Sequence, residues 1–277
     1  MPKTYTKEET GHFIDVNAIN IHYNEAGSGP VLICTHGGGP GANAWDNTKL
    51  ALPYLAEHFR TILMDMPGFG GSQKLVSRNG VPMDLFCSTL QRDFMDKLGI
   101  DKAHLYGSSA FSGASLRFGI EFPDRIGKIV IQAFAAGAHT ESDGLKSLAT
   151  FAQNPVRENM ELMMSHFTPR AEFRTPEMVD ARLKMALTPG HLESRREFSG
   201  RSNDPNLKDL LPKLQAPVLV TWGHKDGMIP AEEMWDDLER IPDVRVYMWG
   251  GNTGHFVATE HPEEFARVVA SFLGGHE

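Results

Sequence analysis

Three short stretches, far apart in the 277-residue chain, each place one reactive polar side chain directly after an apolar run. In Leu105-Tyr106-Gly107-Ser108-Ser109-Ala110 the run passes through small residues into an amphipathic helical pattern. A turn that sharp lifts its central side chain above the end of the strand and leaves helix N–H groups free beside it, so Ser109 is a candidate nucleophile. Serine is also a common helix cap, and on this stretch alone Ser108 or Ser109 in that role is the alternative. Two later stretches shift the balance. Val218-Leu219-Val220-Thr221-Trp222-Gly223-His224-Lys225-Asp226 ends on a carboxylate, and Gly251-Asn252-Thr253-Gly254-His255-Phe256 carries an imidazole. A hydroxyl is a poor nucleophile near neutral pH unless a base takes its proton, and a neutral imidazole is held in the right tautomer by a carboxylate on its other nitrogen. Ser109, Asp226 and His255 supply these parts in the order serine, aspartate, histidine. His224 and Lys225 adjoin Asp226, but neither is an orienting carboxylate.

A glycine-rich loop, Thr35-His36-Gly37-Gly38-Gly39-Pro40-Gly41-Ala42, admits two readings. Its Gly37-x-Gly39-x-x-Ala42 spacing fits the dinucleotide-binding fingerprint, with Asp65 ending the next apolar run about where a ribose-binding acid would sit. In the other reading, the amides of Gly38 and Ala110 point at the oxygen that becomes negative when Ser109 attacks a carbonyl. Two strands precede this loop and no second nucleotide-binding half follows, which favours the second reading. Asp65, in Met64-Asp65-Met66-Pro67-Gly68, is then expected to brace a turn.

These residues must be positioned by a scaffold, and the hydrophobic pattern describes one. Apolar, β-branched runs at 11–15, 19–23, 31–35, 60–64, 103–107, 128–132, 218–222 and 245–248 predict about eight strands, the first two a hairpin turning at Val16-Asn17-Ala18. Helical patterns at 83–98, 110–121, 231–240 and 263–273 alternate with them, the signature of a mostly parallel sheet covered on both faces. The alternation breaks from 135 to 214, where helical stretches at 155–167 and 176–187 and no convincing strand predict an inserted helical lid. The core would then comprise 1–134 and 215–277. Met160, Met163, Met164, Met178 and Met185 either line an adaptable pocket in that lid or pack helix against helix.

Composition narrows the function classes. A net charge of −8 and the lack of a dense Lys/Arg run argue against nucleic-acid binding. Cys34 and Cys87, the only cysteines, fall in apolar patterns and read as buried thiols, so neither a disulfide framework nor a metal cluster is expected. The polar start MPKTYTKEETG and the lack of any long apolar run make a cytoplasmic protein with no membrane span the default expectation.

Taken together, these motifs resemble the α/β-hydrolase superfamily and, over most of the chain, the meta-cleavage product hydrolases, which split carbon–carbon bonds in ring-opened aromatic degradation intermediates. The stretches that carry the likeness are THGGGPGANAWDN (35–47), MDMPGFGGS (64–72), LRFGIEFPDRIGK (116–128), VTWGHKDGMIP (220–230) and GHFVATEHPEEF (254–265). The resemblance implies an α/β-hydrolase fold and a cofactor-free enzyme with Ser109, Asp226 and His255 as triad and Gly38 and Ala110 as oxyanion donors. It also implies substrate contacts from Gly39, Asn47, Phe111, Leu187 and Phe256, a small-molecule substrate and a homo-oligomer. Such enzymes ketonise a dienol, add water or serine to the remote ketone, and release a carboxylic acid and a hydroxydienoate.

The chain departs from the family pattern in three places. Its elbow reads Gly107-Ser108-Ser109-Ala110-Phe111, with Phe111 where a small residue is usual. A one-residue shift would restore small neighbours but put Ala110 at the nucleophile position, describing a non-catalytic binding protein. The pattern's lid arginine falls at Leu187, two residues before Pro189, and the tryptophan after the catalytic histidine is Phe256. Ester, lactone or amide hydrolysis by the same residues is the nearest catalytic alternative to C–C hydrolysis.

Overall fold

The computed structural model describes residues 2–134, 136, 142–198 and 203–274. Eight strands form one sheet: β1 (Gly11–Val16), β2 (Ile19–Ala26), β3 (Val31–Cys34), β4 (Arg60–Met64), β5 (Ala103–Ser108), β6 (Ile126–Gln132), β7 (Val218–Gly223) and β8 (Val244–Trp249). Their order is β1-β2-β4-β3-β5-β6-β7-β8. The β1–β2 and β2–β4 pairs are antiparallel and all the others parallel. The first hairpin turns through Asn17 and Ala18, both with positive φ (55° and 64°), as a tight two-residue connection requires.

The parallel strands read as continuous apolar runs because both faces are covered. Ile33, Ile62, Leu105, Ile129, Ile131, Val218 and Val220 point into one hydrophobic cluster. Their neighbours Leu32, Cys34, Leu63, Tyr106, Val130 and Leu219 point into a second, on the opposite face. This is the period-two alternation of a strand buried twice. On the first face lie α1 (Met83–Lys97) and α2 (Ser112–Glu121); on the second lies the C-terminal helix Pro262–Gly274 with the short helix Leu52–Leu55. Cys34 and Cys87 are free and buried, and burial pushes both thiols far up.

Between β6 and β7 the chain is helical: α3 (Asp143–Gln153), α4 (Arg157–Phe167), α5 (Pro176–Ala186) and α6 (His191–Glu197). The sequence pattern caught α4 and α5 but passed over α3 and α6. Met160 and Met163 are buried in the first cluster, so they pack helix against helix, whereas Met164 and Met178 line a cavity. Calls at 135, 137–141, 199–202 and 275–277 lie outside the described residues. Among the described residues, no helix is long and apolar enough to cross a membrane.

Candidate active site

At the carboxyl end of β5 the chain turns directly into helix, and Ser109 sits at the turn with φ +51°. Positive φ is costly for a residue with a Cβ and persists only where the surroundings enforce it. They do so here through Gly107: a Cβ there would lie 2.8 Å from Ser112 Cα and 2.6 Å from Ser115 Oγ, so strand and helix meet at a distance only glycine allows. The Ser112 hydroxyl tightens the turn, donating to the Gly107 carbonyl at 2.8 Å. Ala110 has no positive φ, so the strained corner falls on Ser109 and the one-residue shift that would put Ala110 there does not describe this backbone.

Asp226 and His255 occupy loops after β7 and β8. One Asp226 oxygen accepts the Met228 and Ile229 amides at 2.8 and 3.0 Å, and the other accepts from His255 Nδ1 at 2.7 Å. With the carboxylate fixed by two amides, the imidazole carries its proton on Nδ1 and leaves Nε2 as a lone pair. That Nε2 is buried and has no hydrogen-bond partner, and among the described residues the Ser109 hydroxyl has none either. The structure thus brings the aspartate and histidine into direct contact and leaves the serine–histidine bond unmade, as is common in ligand-free active sites. Gln132 links the two halves. Its Cα pairs with Ser108 in the β5–β6 ladder, its Nε2 donates to the His255 carbonyl, and its Oε1 accepts from the Tyr106 hydroxyl at 2.6 Å.

The glycine loop lies against the elbow. A Cβ on Gly38 would come within 2.8 Å of the Ala110 Cβ, so the missing side chain is what lets the two backbones meet. Neither the Gly38 nor the Ala110 amide donates to another described backbone group. Asp65, by contrast, turns inward and accepts from Ala44 N (2.7 Å), Gly71 N (2.8 Å) and His22 Nδ1 (2.8 Å). Burial pushes its carboxyl up, but these bonds and the nearby His36 outweigh that and hold it below the usual range. A carboxylate so fully engaged cannot reach a ribose, and the dinucleotide reading lapses.

Two cavities flank the loop. The larger, about 260 Å³, is bounded by Ser109, Gly38, Gly39 and Ala110 and otherwise walled mainly by apolar side chains such as Leu145, Phe167 and Ile229. The smaller, about 60 Å³, is lined by Asn43, Asn47, Met164, Met178, Arg182 and Phe256 among others. Asn47 is buried there, its Nδ2 donating to Ser108 Oγ at 3.3 Å. Phe256 lies flat on Phe167, with ring centroids 4.7 Å apart.

Two expected substrate contacts fall elsewhere. Phe111 is fully buried beneath the elbow, meeting His36 and Phe69 edge-on at 5.2 and 5.5 Å, and lines neither cavity. The slot between those rings is what lets an aromatic side chain occupy a position where a small one is usual. Leu187 caps the C-terminus of α5, is half exposed, and lines neither cavity.

The position of the pattern's lid arginine holds Leu187, yet two arginines reach the cavities from other positions of the helical segment. Arg182, more than one helical turn before Leu187, stacks its guanidinium over Phe167 (4.8 Å) and Phe256 (5.5 Å). Its Nε is sealed from solvent without a partner. Arg195, on α6, donates from Nε to the Gly38 carbonyl at 2.8 Å and faces the larger cavity. Neither forms an ion pair with a described carboxylate, and burial lowers both to about 10, still charged at neutral pH. Sequence reading missed them because an arginine at helical spacing reads as a solvated face; only the fold reveals that these two face the cavities, Arg182 with the charge of Asp46 nearby and neither bonded directly to a described carboxylate.

His191 ties α6 to both loops, accepting from Gly41 N at 2.9 Å and donating from Nδ1 to the Gly68 carbonyl at 3.0 Å. Among the described residues no cluster of three or more His, Cys, Asp or Glu could hold a metal ion.

An eight-stranded sheet with a strained serine elbow and an aspartate-fixed histidine defines a class, and the sequence comparison agrees with it. The chain belongs to the alpha/beta hydrolase fold family, whose model matches residues 30–262. Among its relatives is a 2-hydroxy-6-oxononadienedioate/2-hydroxy-6-oxononatrienedioate hydrolase of a Pseudomonas species, 32% identical over 97% of this chain and 98% of that one. Another is a 2-hydroxy-6-oxo-6-phenylhexa-2,4-dienoate hydrolase of Burkholderia cepacia, 31% identical over 97% and 98%. In fold the chain is similar to a meta-cleavage product hydrolase of Pseudomonas fluorescens IP01, with a TM-score of 0.86 at 24% identity, covering 98% of this chain and 100% of that one.

Proposed function

We propose that the protein is a cofactor-free serine hydrolase that cleaves a carbon–carbon bond in a ring-opened aromatic degradation product of the 2-hydroxy-6-oxohexa-2,4-dienoate type. The observation that carries this reading is the placement on one sheet edge of a strained Ser109 and an aspartate-oriented His255 whose Nε2 has no partner, with Arg182 stacked on the Phe167 ring that also meets His255. The full-length relatives named as hydrolases of such dienoates support it.

In this mechanism His255 Nε2 takes the proton from Ser109, or from a water at the same place, as the oxygen adds to the remote ketone of the ketonised substrate. The oxyanion is received by the Gly38 and Ala110 amides, whose glycine neighbours admit it closely. Collapse breaks the carbon–carbon bond, and its electron pair passes into the conjugated keto-acid. His255 then returns the proton to that carbanion; where Ser109 is the attacking group, a water deprotonated by the same Nε2 next hydrolyses the acyl-serine ester, releasing the acid and restoring the Ser109 hydroxyl. Asn47, Arg182 and Phe256 would hold the dienoate in the smaller cavity, the guanidinium balancing the carboxylate and the negative charge that spreads into the chain at cleavage. The ketone and its acyl substituent would occupy the larger one. The helical segment between β6 and β7 acts as a lid, excluding water from both.

The test is direct. A 2-hydroxy-6-oxo-dienoate should lose its visible or near-ultraviolet absorbance on mixing with the enzyme, and should do so faster than nitrophenyl esters of short acids release nitrophenol. Rapid ester cleavage with the dienoate untouched would mean a carboxylesterase. A ligand-binding protein without chemistry would leave both intact and give no phosphonate adduct on Ser109 by intact mass.

A further inference from the structure

Gly37, Gly38 and Gly39 follow one another in the loop beside the elbow, and glycine leaves each peptide plane free to turn either way. The Gly38 amide therefore faces the reacting oxygen only if something holds it there. Two bonds do so, one on each side of the Gly38 Cα. His36 accepts the Met66 amide at Nε2 (3.1 Å), which leaves the ring proton on Nδ1, and Nδ1 donates to the Gly37 carbonyl at 2.7 Å. A trans peptide points its C=O and N–H to opposite sides, so the same bond turns the Gly38 N–H away from the His36 ring. The next peptide is held from 157 residues away: Arg195 Nε donates to the Gly38 carbonyl at 2.8 Å, and among the described residues that carbonyl accepts nothing else. Arg195 is itself well anchored. It lies on α6, whose His191 accepts the Gly41 amide at 2.9 Å and whose Ser194 hydroxyl accepts the Leu75 amide at 2.8 Å. Its side chain borders the larger cavity together with Ser109, Gly38 and Ala110.

We propose that Arg195 is a positioning residue for the oxyanion hole: its Nε–H, with His36 on the other side, holds the two peptide planes that meet at Gly38 in the one arrangement that offers the Gly38 amide to the reacting oxygen. The helical segment between β6 and β7 thereby supplies part of the catalytic geometry as well as a cover. This rests on the serine-hydrolase reading above and deepens it. With both planes clamped, φ and ψ of Gly38 are set before a substrate arrives, and an amide fixed in advance is what stabilises a charge as it develops. Without the Arg195 bond, ψ of Gly38 is released and His36 alone restrains the loop. The guanidinium charge is secondary, because the loop requires only an N–H on the atom that follows Cδ.

That requirement selects the variants. Arg195→Gln carries an N–H on the atom bonded to Cδ, where arginine has Nε, but no charge; Arg195→Lys keeps the charge with a methylene at that atom; Arg195→Met has neither. Each is mixed with a nitrophenyl alkylphosphonate. Ser109 attacks phosphorus, nitrophenolate leaves and the phosphoryl oxygen takes the place of the oxyanion, so the rate reports on the hole whatever the natural substrate. Arg195→Met and Arg195→Lys should slow nitrophenol release, and the matching Ser109 adduct by intact mass, on the order of thirtyfold, part of the hundredfold or more lost when an oxyanion donor is removed outright, while Arg195→Gln stays within about threefold of wild type. Dienoate turnover should rank the variants in the same order in kcat with KM little changed. Arg195→Gln as slow as Arg195→Met, or no loss with Arg195→Lys, would overturn the proposal, as would a raised KM at unchanged kcat, which marks a substrate contact. Should Arg195→Met fail to fold, the glutamine and lysine variants decide between them. Wild type that is labelled at Ser109 but leaves the dienoate intact would end the C–C reading alone, with the labelling rates still deciding this inference; wild type that takes up no phosphonate overturns both.

Discussion

The molecule contains the same three residue types twice. At the end of β4, Asp65 accepts two backbone amides and the Nδ1 of His22 at 2.8 Å, with Ser72 alongside. After β7, Asp226 accepts two amides and the Nδ1 of His255 at 2.7 Å, with Ser109 on the same sheet edge. The difference lies in what each group has left to give. The Ser72 hydroxyl accepts the His22 amide at 2.9 Å and donates to the Asp65 carbonyl at 2.6 Å, so it is spent on the backbone. Ser109 is held at positive φ on the wall of a cavity with its hydroxyl unengaged, and the His255 Nε2 is a buried lone pair with nothing to accept. Aspartate-bound histidine beside serine is therefore not in itself a catalytic signature; unspent hydrogen-bonding capacity facing a cavity is.

The sharpest way to break this comparison is to remove the reacting groups from each set. His255→Ala and Ser109→Ala should each lower kcat for the dienoate by on the order of a million-fold, whereas Ser72→Ala should leave kcat within a few-fold. Stopped-flow decay of the dienol chromophore measures both, and comparable losses at Ser72 and Ser109 would void the distinction. The aspartates follow. Asp226→Asn keeps the shape but removes the tautomer preference, and should cost kcat about ten-thousand-fold with little change in the denaturation midpoint. Asp65→Asn should do the reverse, costing roughly 3 kcal/mol in urea unfolding because the His22 Nδ1–H and two amides lose a charged acceptor, with kcat of the folded protein nearly intact.

This comparison also explains how much could be read from the sequence. The placement of Ser109, Asp226 and His255 at one sheet edge was legible because each follows a strand whose apolar run marks its end, and the sheet brings strand ends together whatever lies between. Gly38 was legible because a glycine run after a strand signals a close approach. Arg182 and Arg195 were not, since facing a cavity without a bonded carboxylate is a property of three dimensions, and helical spacing gives the same pattern for a solvated arginine. Phe111 and Leu187 differ for a related reason: adjacency to a motif in sequence is not adjacency to a cavity, and one side chain goes beneath the elbow and the other out to solvent. A smaller effect sharpens the point. Arg182→Met should lower kcat/KM for a dienoate by about a hundredfold, the loss expected for a charge-assisted bond to a carboxylate. Leu187→Ala should not change it measurably.

His191 tests how the helical segment is fastened to the loops after β3 and β4. It must accept from Gly41 N at Nε2 while donating from Nδ1 to the Gly68 carbonyl, an arrangement available only to the neutral ring. Burial lowers its pKa to about 4, against about 6.5 in an unfolded chain. Because the folded value is depressed, the unfolded chain takes up a proton as pH falls below about 6.5 while the native state refuses it until about pH 4. The contribution is therefore complete above pH 6.5, drains away across that window, and is constant below it, amounting to about 3 kcal/mol. His36 and His104, also depressed by burial, add slopes of their own, so the measurement is a difference. His191→Gln can accept from Gly41 and donate to Gly68 without titrating. Urea unfolding at pH 7.5 and pH 4.5 should show wild type losing more stability than the variant, and parallel losses would mean that the α6 fastening does not depend on a neutral His191.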